Sequence, residues 1–569
     1  LISRYIAALT LCGVDTGTPL GLLSGNRVEV LALIGAGQVQ GYRRTALHPM
    51  GSLDDHVFAL TDAGIETLIV DETFAARADE LSGRLPHLRI LSLGESARGT
   101  DLAKLADAQS ATDLVPVDLG PDHVLSVTYT GGTTGKPKGV IGTTGNLSAM
   151  AQVMLAEWEW PRNPTFLMCT PLSHAGAAFF LPILVKGGRL VVLPRFEPQS
   201  VLKTISQHCI DSTMLVPSMI YTLLDQPNLA EFDLSSLDTV FYGAAAMNPQ
   251  RLAEAITRIG PVFAQYYGQS ECPMVITYLA KSDHTPANLA SCGKPSPMLS
   301  TSLRSTDGSA VEEGTPGEIW VSGSVVAPGY WNRPDETAAT FGADGWLRTG
   351  DVAVASVDGV WTIVDRLKDM IVTGGFNVFP AAIEAVILED AAVMACAVVG
   401  VPDDKWGEAV RAVVQLKPGQ SVPAEQLIAR VRDRLGSVHA PKQVEFWPEL
   451  PHSAVGKLLR IAFGRSHRRR LPLFFCSGPR AIETLYLSTR NSRVCRTVIV
   501  NVTRGSRVNG VSPTETLRQQ QAKAVCLHHT ARALCHANSV YLGGFGVDAG
   551  VLPGHSFNPD RRVFARHLS

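Results

Sequence analysis

The sequence predicts an α/β protein, and three observations carry that prediction. Short apolar runs alternate with helix-length stretches through most of the chain, the pattern of repeated β-then-α units that build largely parallel sheets. Of 569 residues, 45% are hydrophobic and 18% charged. That supplies a large core and argues against a disordered chain or a highly charged nucleic-acid binder. The pattern also changes along the chain, becoming hairpin-like after Gly317 and restarting as a compact β-then-α series from Arg366. Those changes divide the chain into a large domain over 1–365, a small one over 366–460 and a remainder over 461–569.

Element by element, Arg4 and the apolar stretch 5–14 imitate a short secretion signal, but no small-residue cleavage site follows, so the stretch reads as a helix. Leu1 in place of Met reads as a truncated start. Between 20 and 120 the apolar runs are 28–34, 57–60, 67–70 and 87–93. Strand-type runs recur at 165–170, 189–193, 212–216, 239–242 and 262–265, with helix-length stretches such as 197–207 and 250–259 between them. Residues 318–321 and 360–364 alternate as hairpin strands do. In 381–388, Ile383, Val386 and Ile387 stand at helical spacing, and 393–401 is a continuous buried-strand run. The longest apolar stretch, 175–185, is interrupted by Pro182 and falls short of the roughly 18 residues a membrane span needs. Ten cysteines without a CxxC pair suit a reduced interior. The expectation is a cytoplasmic protein without integral membrane contact.

Charge is distributed unevenly. Residues 461–569 hold 15 Arg, 1 Lys and 4 acids, a net +12, whereas 1–460 carry a net -14. The basic tail, with Arg468, Arg469 and Arg470 in a row, lacks clear periodicity and reads as a disordered or out-of-frame extension. By charge alone it would suit an anionic surface. Three features there and upstream are decoys. Gly35, Gly37 and Gly41 have the wrong spacing for a dinucleotide fingerprint and lack the acidic partner. Cys526, His528, His529, Cys535 and His536 fit no standard zinc spacing. Asn501 opens a glycosylation sequon by letters only.

The chemistry concentrates first in 129–139, where Thr130, Gly131, Gly132, Thr133, Thr134, Gly135 and Lys138 follow the strand-like run 124–128. Glycines let backbone N–H groups turn toward an anion, threonines add hydroxyl donors, and lysine supplies a point charge for a polyphosphate. Pro137 stands where the P-loop of kinases and GTPases requires Ser or Thr, so this is a different phosphate loop. Downstream come Tyr267–Glu271 (YGQSE), Gly329–Pro334 (GYWNRP), Gly345–Asp351 (GWLRTGD), Asp365–Asp369 (DRLKD) and Pro451–Lys457 (PHSAVGK).

This ordered set, together with Pro171–His174 (PLSH) and the glycine pair Gly374 and Gly375, resembles the adenylate-forming superfamily, most closely the bacterial fatty-acid CoA ligases of actinobacterial type. The resemblance runs from about residue 5 to Arg460. It implies a large N-terminal domain of layered αβαβα sheets plus a distorted β-barrel, with a small mobile α+β C-terminal domain. It also implies ATP-dependent activation of a carboxylic acid, expected to be fatty, to acyl-AMP with release of pyrophosphate, then transfer to coenzyme A.

Carried over, the resemblance assigns the 130–138 loop to the ATP phosphates, and Glu271 to Mg2+ and catalysis. Gly243, Ala244 and Ala245 would lie against adenine with Tyr267 opposite, beside Gly268 and Ser270. Asp351 would take the ribose hydroxyls and Arg366 would support the same sugar. Lys457 would be the catalytic cation of adenylation, so that its removal cripples that step more than thioester formation. His174 would sit near the carboxylate, and His174, Met219, Tyr242 and Cys272 would form the acyl pocket. Lys368 would be the hinge, and Gly375 would line the CoA tunnel. The sequence departs mildly at His452 and Ser453, where the family usually shows a basic residue and Thr. The partners implied are a small carboxylic acid, ATP and CoA, with no nucleic acid. Alternatives are an aryl-CoA ligase, an acyl-AMP ligase that loads a carrier protein, and an inactive product of a frameshifted gene.

Overall fold

The computed structural model describes residues 1–95, 99–130, 137–403 and 405–451, with the backbone of 484–491, 494–502 and 547–550. Over residues 1–464 two seven-stranded sheets dominate. The first runs in the order Thr100–Asp101, Arg89–Leu93, Thr67–Asp71, Pro19–Leu23, Arg43–Ala46, Val124–Thr130, Lys138–Thr143, with all pairings parallel except the last. The second runs Lys294–Pro295, Cys272–Leu279, Phe263–Gln269, Thr239–Gly243, Ser212–Leu215, Thr165–Met168, Arg189–Val192, antiparallel only across its first two pairings.

Three apolar clusters bind these sheets into layers. One joins Leu23, Leu60, Leu68 and Leu81, where helices Leu53–Asp62 and Ala75–Arg84 cover the first sheet. A second joins Ile205, Ile220, Leu252 and Phe263, where helices Pro198–His208, Pro217–Leu224 and Pro249–Ile259 cover the second sheet. Between the sheets lie helices Ile2–Leu11, Val28–Gln40 and Thr144–Glu157, whose Leu9, Leu31 and Met154 belong to the largest cluster together with Ile69 and Phe241. The result is the αβαβα layering. Parallel strands buried on both faces read as continuous apolar runs, which is why 67–70 and 212–216 were legible.

Two of the apolar runs are corrected. Residues 28–34 and 57–60 are helical, inside Val28–Gln40 and Leu53–Asp62. The first is apolar nearly all round because it is buried between two sheets, which erases the amphipathic stripe. Gly35 and Gly37 are therefore interior helix residues, and Gly41 closes the helix at φ 74. The strands that do flank this helix, Pro19–Leu23 and Arg43–Ala46, were obscured by a glycine in one and paired arginines in the other.

A four-stranded antiparallel meander follows, Ser300–Arg304, Gly317–Ser322, Leu347–Ala355 and Trp361–Arg366. Beyond it, Ile371–Thr373, Phe376–Val378, Val393–Asp403, Gly407–Leu416 and Gln443–Phe446 form a mixed sheet. Helices Pro380–Leu388 and Ala424–Leu435 close a core of its own around Ile383, Val398, Val414 and Leu427. Residues 465–569 make a separate unit, in which Thr484–Asn491, Val494–Val502 and Val547–Gly550 pair antiparallel. Among the described residues, no helix is long and apolar enough to cross a membrane.

Candidate active site

In the second sheet, the parallel strands Thr165–Met168, Thr239–Gly243 and Phe263–Gln269 point their C-terminal ends to the same edge, where ligands of open α/β sheets bind. The segment leaving Thr239–Gly243 is Gly243, Ala244 and Ala245. Any side chain at Gly243 would collide with the Tyr266 carbonyl, and Ala244 adopts φ 65, so the chain turns sharply and leaves Ala244 and Ala245 exposed. Phe263–Gln269 then presents Tyr267 and Gln269 two residues apart, on one face of the strand.

Both reach Asp351, on Leu347–Ala355. The Tyr267 hydroxyl donates to Asp351 Oδ2 at 2.6 Å and Gln269 Nε2 to the same oxygen at 3.3 Å. Arg366, the cross-strand partner of Asp351, approaches Oδ1 at 3.4 Å. Burial and the Asp351 charge push the Tyr267 phenol well above its usual range, so it is a fixed donor that keeps the carboxylate aimed. A carboxylate gripped by three donors from two strands is preorganised to accept hydrogen bonds from a diol.

Gly268 lies in the strand, where a Cβ would strike the Met274 backbone, and Ser270 opens the turn into Cys272–Leu279. Glu271 ends that turn. Its Oε1 accepts the Tyr330 hydroxyl at 2.7 Å, and the Lys138 ammonium lies 4.8 Å from the centre of the Tyr330 ring. Tyr330 thus joins the carboxylate to the hairpin of Val124–Thr130 and Lys138–Thr143. The hairpin pairs Thr130 with Lys138; Gly131, Gly132, Thr133, Thr134 and Gly135 lie outside the described residues. Trp331 N–H donates to the Gly139 carbonyl at 2.7 Å, and Ile141 N–H to that of Gly329 at 3.1 Å, which fixes the 329–334 segment along the hairpin.

Asp62, at the end of its helix, ties these parts together. Oδ2 accepts the Tyr129 hydroxyl at 2.7 Å and Oδ1 pairs with Arg333 at 3.1 Å. The Asp62 carbonyl accepts Trp331 Nε1 at 3.1 Å and Asn332 Nδ2 at 3.0 Å.

The four residues expected at the acyl pocket are spread out. His174 is exposed, bonded through Nδ1 to the Ser173 hydroxyl at 3.0 Å, with its ring 4.9 Å from that of His48 and edge-on to it. Tyr242 is fully buried, its hydroxyl 3.0 Å from Gln265 Oε1 and 2.9 Å from His284 Nε2, in the cluster that half-buried Met219 also packs against. Cys272 is buried in the other cluster, across the sheet.

At the boundary near 365, the buried Asp365 accepts Arg366 N–H at 2.7 Å and Ala381 N–H at 2.8 Å, anchoring the first turn of Pro380–Leu388. Lys368 lies in the turn Leu367–Asp369 that follows. Gly375 adopts φ 82 with open space where a Cβ would be, while a Cβ at Gly374 would press on the Trp406 ring. Lys457 lies outside the described residues.

Sequence reasoning missed Gln269, Tyr330, Asp62 and Asp365 as parts of this site. Gln269, Tyr330 and Asp365 stand inside quoted motifs, and the two-residue strand period from Tyr267 would have found Gln269. Asp62 carries no local signal, because its partners are 67 to 271 residues away.

A carboxylate held by three donors, small residues near it, and a lysine and a glutamate joined through Tyr330 form an arrangement suited to a nucleoside polyphosphate at a sheet edge. The chain belongs to the AMP-binding enzyme family: the family model for AMP-binding enzymes matches residues 1–331, and that for the AMP-binding enzyme C-terminal domain matches 382–457. It is 55% identical over 471 residues to the medium/long-chain-fatty-acid–CoA ligase FadD8 of Mycobacterium tuberculosis, a match covering 80% of this chain and 82% of that one. Two solved structures share the fold. The amide bond synthetase McbA of Marinactinospora thermotolerans is 34% identical with a TM-score of 0.74, covering 81% of this chain and 92% of McbA. The o-succinylbenzoate CoA synthetase MenE of Bacillus subtilis, with its acyl-adenylate intermediate, is 27% identical with a TM-score of 0.72, covering 82% and 92%. The chain is an AMP-forming ligase, and ATP and CoA are substrates of such CoA ligases.

Proposed function

We propose that the protein converts a medium- or long-chain fatty acid, ATP and CoA to the acyl-CoA, AMP and pyrophosphate through an acyl-adenylate. The observation that carries this reading is the Tyr267–Gln269–Asp351–Arg366 cluster at the sheet edge, in a chain 55% identical to a fatty-acid CoA ligase over most of its length. In it, Asp351 accepts both ribose hydroxyls, adenine lies along Gly243, Ala244 and Ala245 against Tyr267, and Thr130 and Lys138 with the intervening glycines and threonines hold the phosphates. Gly268 and Ser270 leave room for the α-phosphate.

Glu271 is suited to a magnesium ion because Tyr330 occupies only one of its oxygens. Magnesium takes few protein oxygens and completes its shell from substrate phosphates and water, so a single carboxylate suffices. Bound there, it would neutralise charge on the phosphates.

The acid's carboxylate attacks the α-phosphorus, the bond to the bridging oxygen breaks, and pyrophosphate leaves. Lys457 stabilises the charge that grows on the transferring phosphoryl oxygens. His174 lies toward the carboxylate end of the acid, with Met219, Tyr242 and Cys272 on the acyl side. In the second step the CoA thiol attacks the acyl carbon, AMP leaves, and the thiol proton passes to solvent. Lys368 serves as the hinge and Gly375 as the opening for pantetheine, with 1–365 and 366–460 as the two moving parts.

The test is AMP release by the full chain across saturated acids of increasing length, with and without CoA. Medium or long acids with CoA should turn over fastest. Pyrophosphate release that ignores CoA would overturn the choice of acceptor, and a preference for aromatic acids the choice of acid. Lys457→Ala should lower adenylation about a thousandfold and spare thioester formation from supplied acyl-adenylate; single-turnover assays of each step would show it.

A further inference from the structure

Strand Arg43–Ala46 sends alternate side chains to opposite faces of the first sheet. Arg43 faces the outer layer, its guanidinium 4.3 Å from the Trp331 ring centre and donating to the Ala63 carbonyl at 2.6 Å. Arg44 turns inward, to a cavity of about 60 Å³ beneath helix Val28–Gln40, walled by Leu20, Leu22, Leu33, Ile34 and Tyr42. Arg44 is half-buried, but its Nη1 is shielded from solvent and has no hydrogen-bond partner among the described residues, and burial lowers the pKa of the guanidinium to about 10.

A guanidinium taken out of water without a counter-charge is costly, and folded chains ordinarily place a carboxylate beside it. None of the described residues lining this cavity is Asp or Glu, although residues 1–460 carry an excess of acids. The polar side chains that join Arg44 on the wall are Gln38, Ser126 and Tyr42, and Ser126 is the cross-strand neighbour of Arg44. A bound anion would supply the missing charge. A carboxylate matches the planar fork of guanidinium, and the aliphatic walls favour a carbon tail over a hydrated inorganic anion. At 10–15 Å³ or so for each water-sized probe, the cavity admits a few heavy atoms and excludes a long acyl chain.

We infer that this cavity binds a short-chain monocarboxylate, of the size of acetate to butyrate, at a site separate from the sheet edge where the acid is activated. The inference is independent of which acid the enzyme activates. Occupancy neutralises Arg44 on a strand that pairs directly with Val124–Thr130, the stem of the phosphate hairpin, so its main effect is on the stability of the first sheet.

The experiment is thermal denaturation and isothermal titration of the full chain in a sulfate buffer, with sodium butyrate, sodium acetate or sodium chloride at matched ionic strength. Butyrate should raise Tm saturably. Arg44→Met should weaken its binding about tenfold or more. Gly37→Leu should do the same with Arg44 intact, because the new side chain fills the cavity from a helix position where a Cβ meets only the Tyr42 carbonyl, at 3.4 Å. Butyrate bound at the catalytic edge would survive both substitutions. No saturable effect, an equal response in both variants, or chloride acting as well as butyrate, which would mark an inorganic-anion site only, would overturn the assignment.

Discussion

The sheet that begins at Thr100–Asp101 and the sheet that begins at Lys294–Pro295 have seven strands each, parallel through the middle and antiparallel at one edge. Each is buried on both faces by helices and apolar side chains. Their loops differ. In the second sheet the strand ends at Gly243 and Gln269 release tight turns held by steric exclusion and by hydrogen bonds to Asp351. In the first sheet the end of Thr67–Asp71 runs into a short turn capped by its own Asp71, and the edge strands Val124–Thr130 and Lys138–Thr143 reach toward the site. On the proposed reading, one architecture thus serves recognition in the second sheet and support in the first. Function is set by what leaves the strand ends.

Substitutions can break that comparison. The largest effect is expected at Asp351→Asn, which keeps the shape but loses the charge-assisted acceptance of the ribose hydroxyls. The kcat/KM for ATP should fall about a hundredfold with little change in Tm. Asp62→Ala, on the first-sheet side, should act through position alone, releasing Tyr129 and Arg333. KM for ATP should rise about tenfold while kcat stays within about twofold. Leu68→Ala, in the buried middle of the first sheet, should cost about 3 kcal/mol in denaturant unfolding and leave both kinetic constants unchanged at a temperature where the variant is folded. A change in KM there would mean that the first sheet does more than support.

The smallest effect concerns pH. Burial lowers the pKa of His284, which holds the Ala280 carbonyl at 2.8 Å and faces the Tyr242 hydroxyl. His48 and His56 are lowered by the same cause. The unfolded chain therefore binds protons before the folded one does. Their stabilising contribution is complete above the ordinary histidine value near 6.5 and is lost as pH falls toward the lowered folded values. His284→Gln should be somewhat less stable at neutral pH and show a shallower fall of Tm on acidification, by a fraction of the wild-type slope.

Much of this was legible in the sequence because parallel strands write themselves as apolar runs and because Tyr267, Glu271, Asp351 and Arg366 stand in short motifs. The helix over 28–40 was illegible as a helix because its burial between two sheets removes the polar face that marks a surface helix. Asp62 acts through partners that the fold, not the chain order, brings near. The placing of Tyr242 and Cys272 in different core clusters likewise depends on which face of its strand each side chain takes, and that is fixed by register.

The most direct test of the central claim is hydrogen–deuterium exchange of the full chain with and without a fatty-acyl sulfamoyladenosine, a stable mimic of the acyl-adenylate. Protection is predicted in 239–245, 263–271 and 347–366, with little change in 67–71 and 89–93. Protection centred on the strand ends of the first sheet, with 263–271 unaffected, would contradict the account.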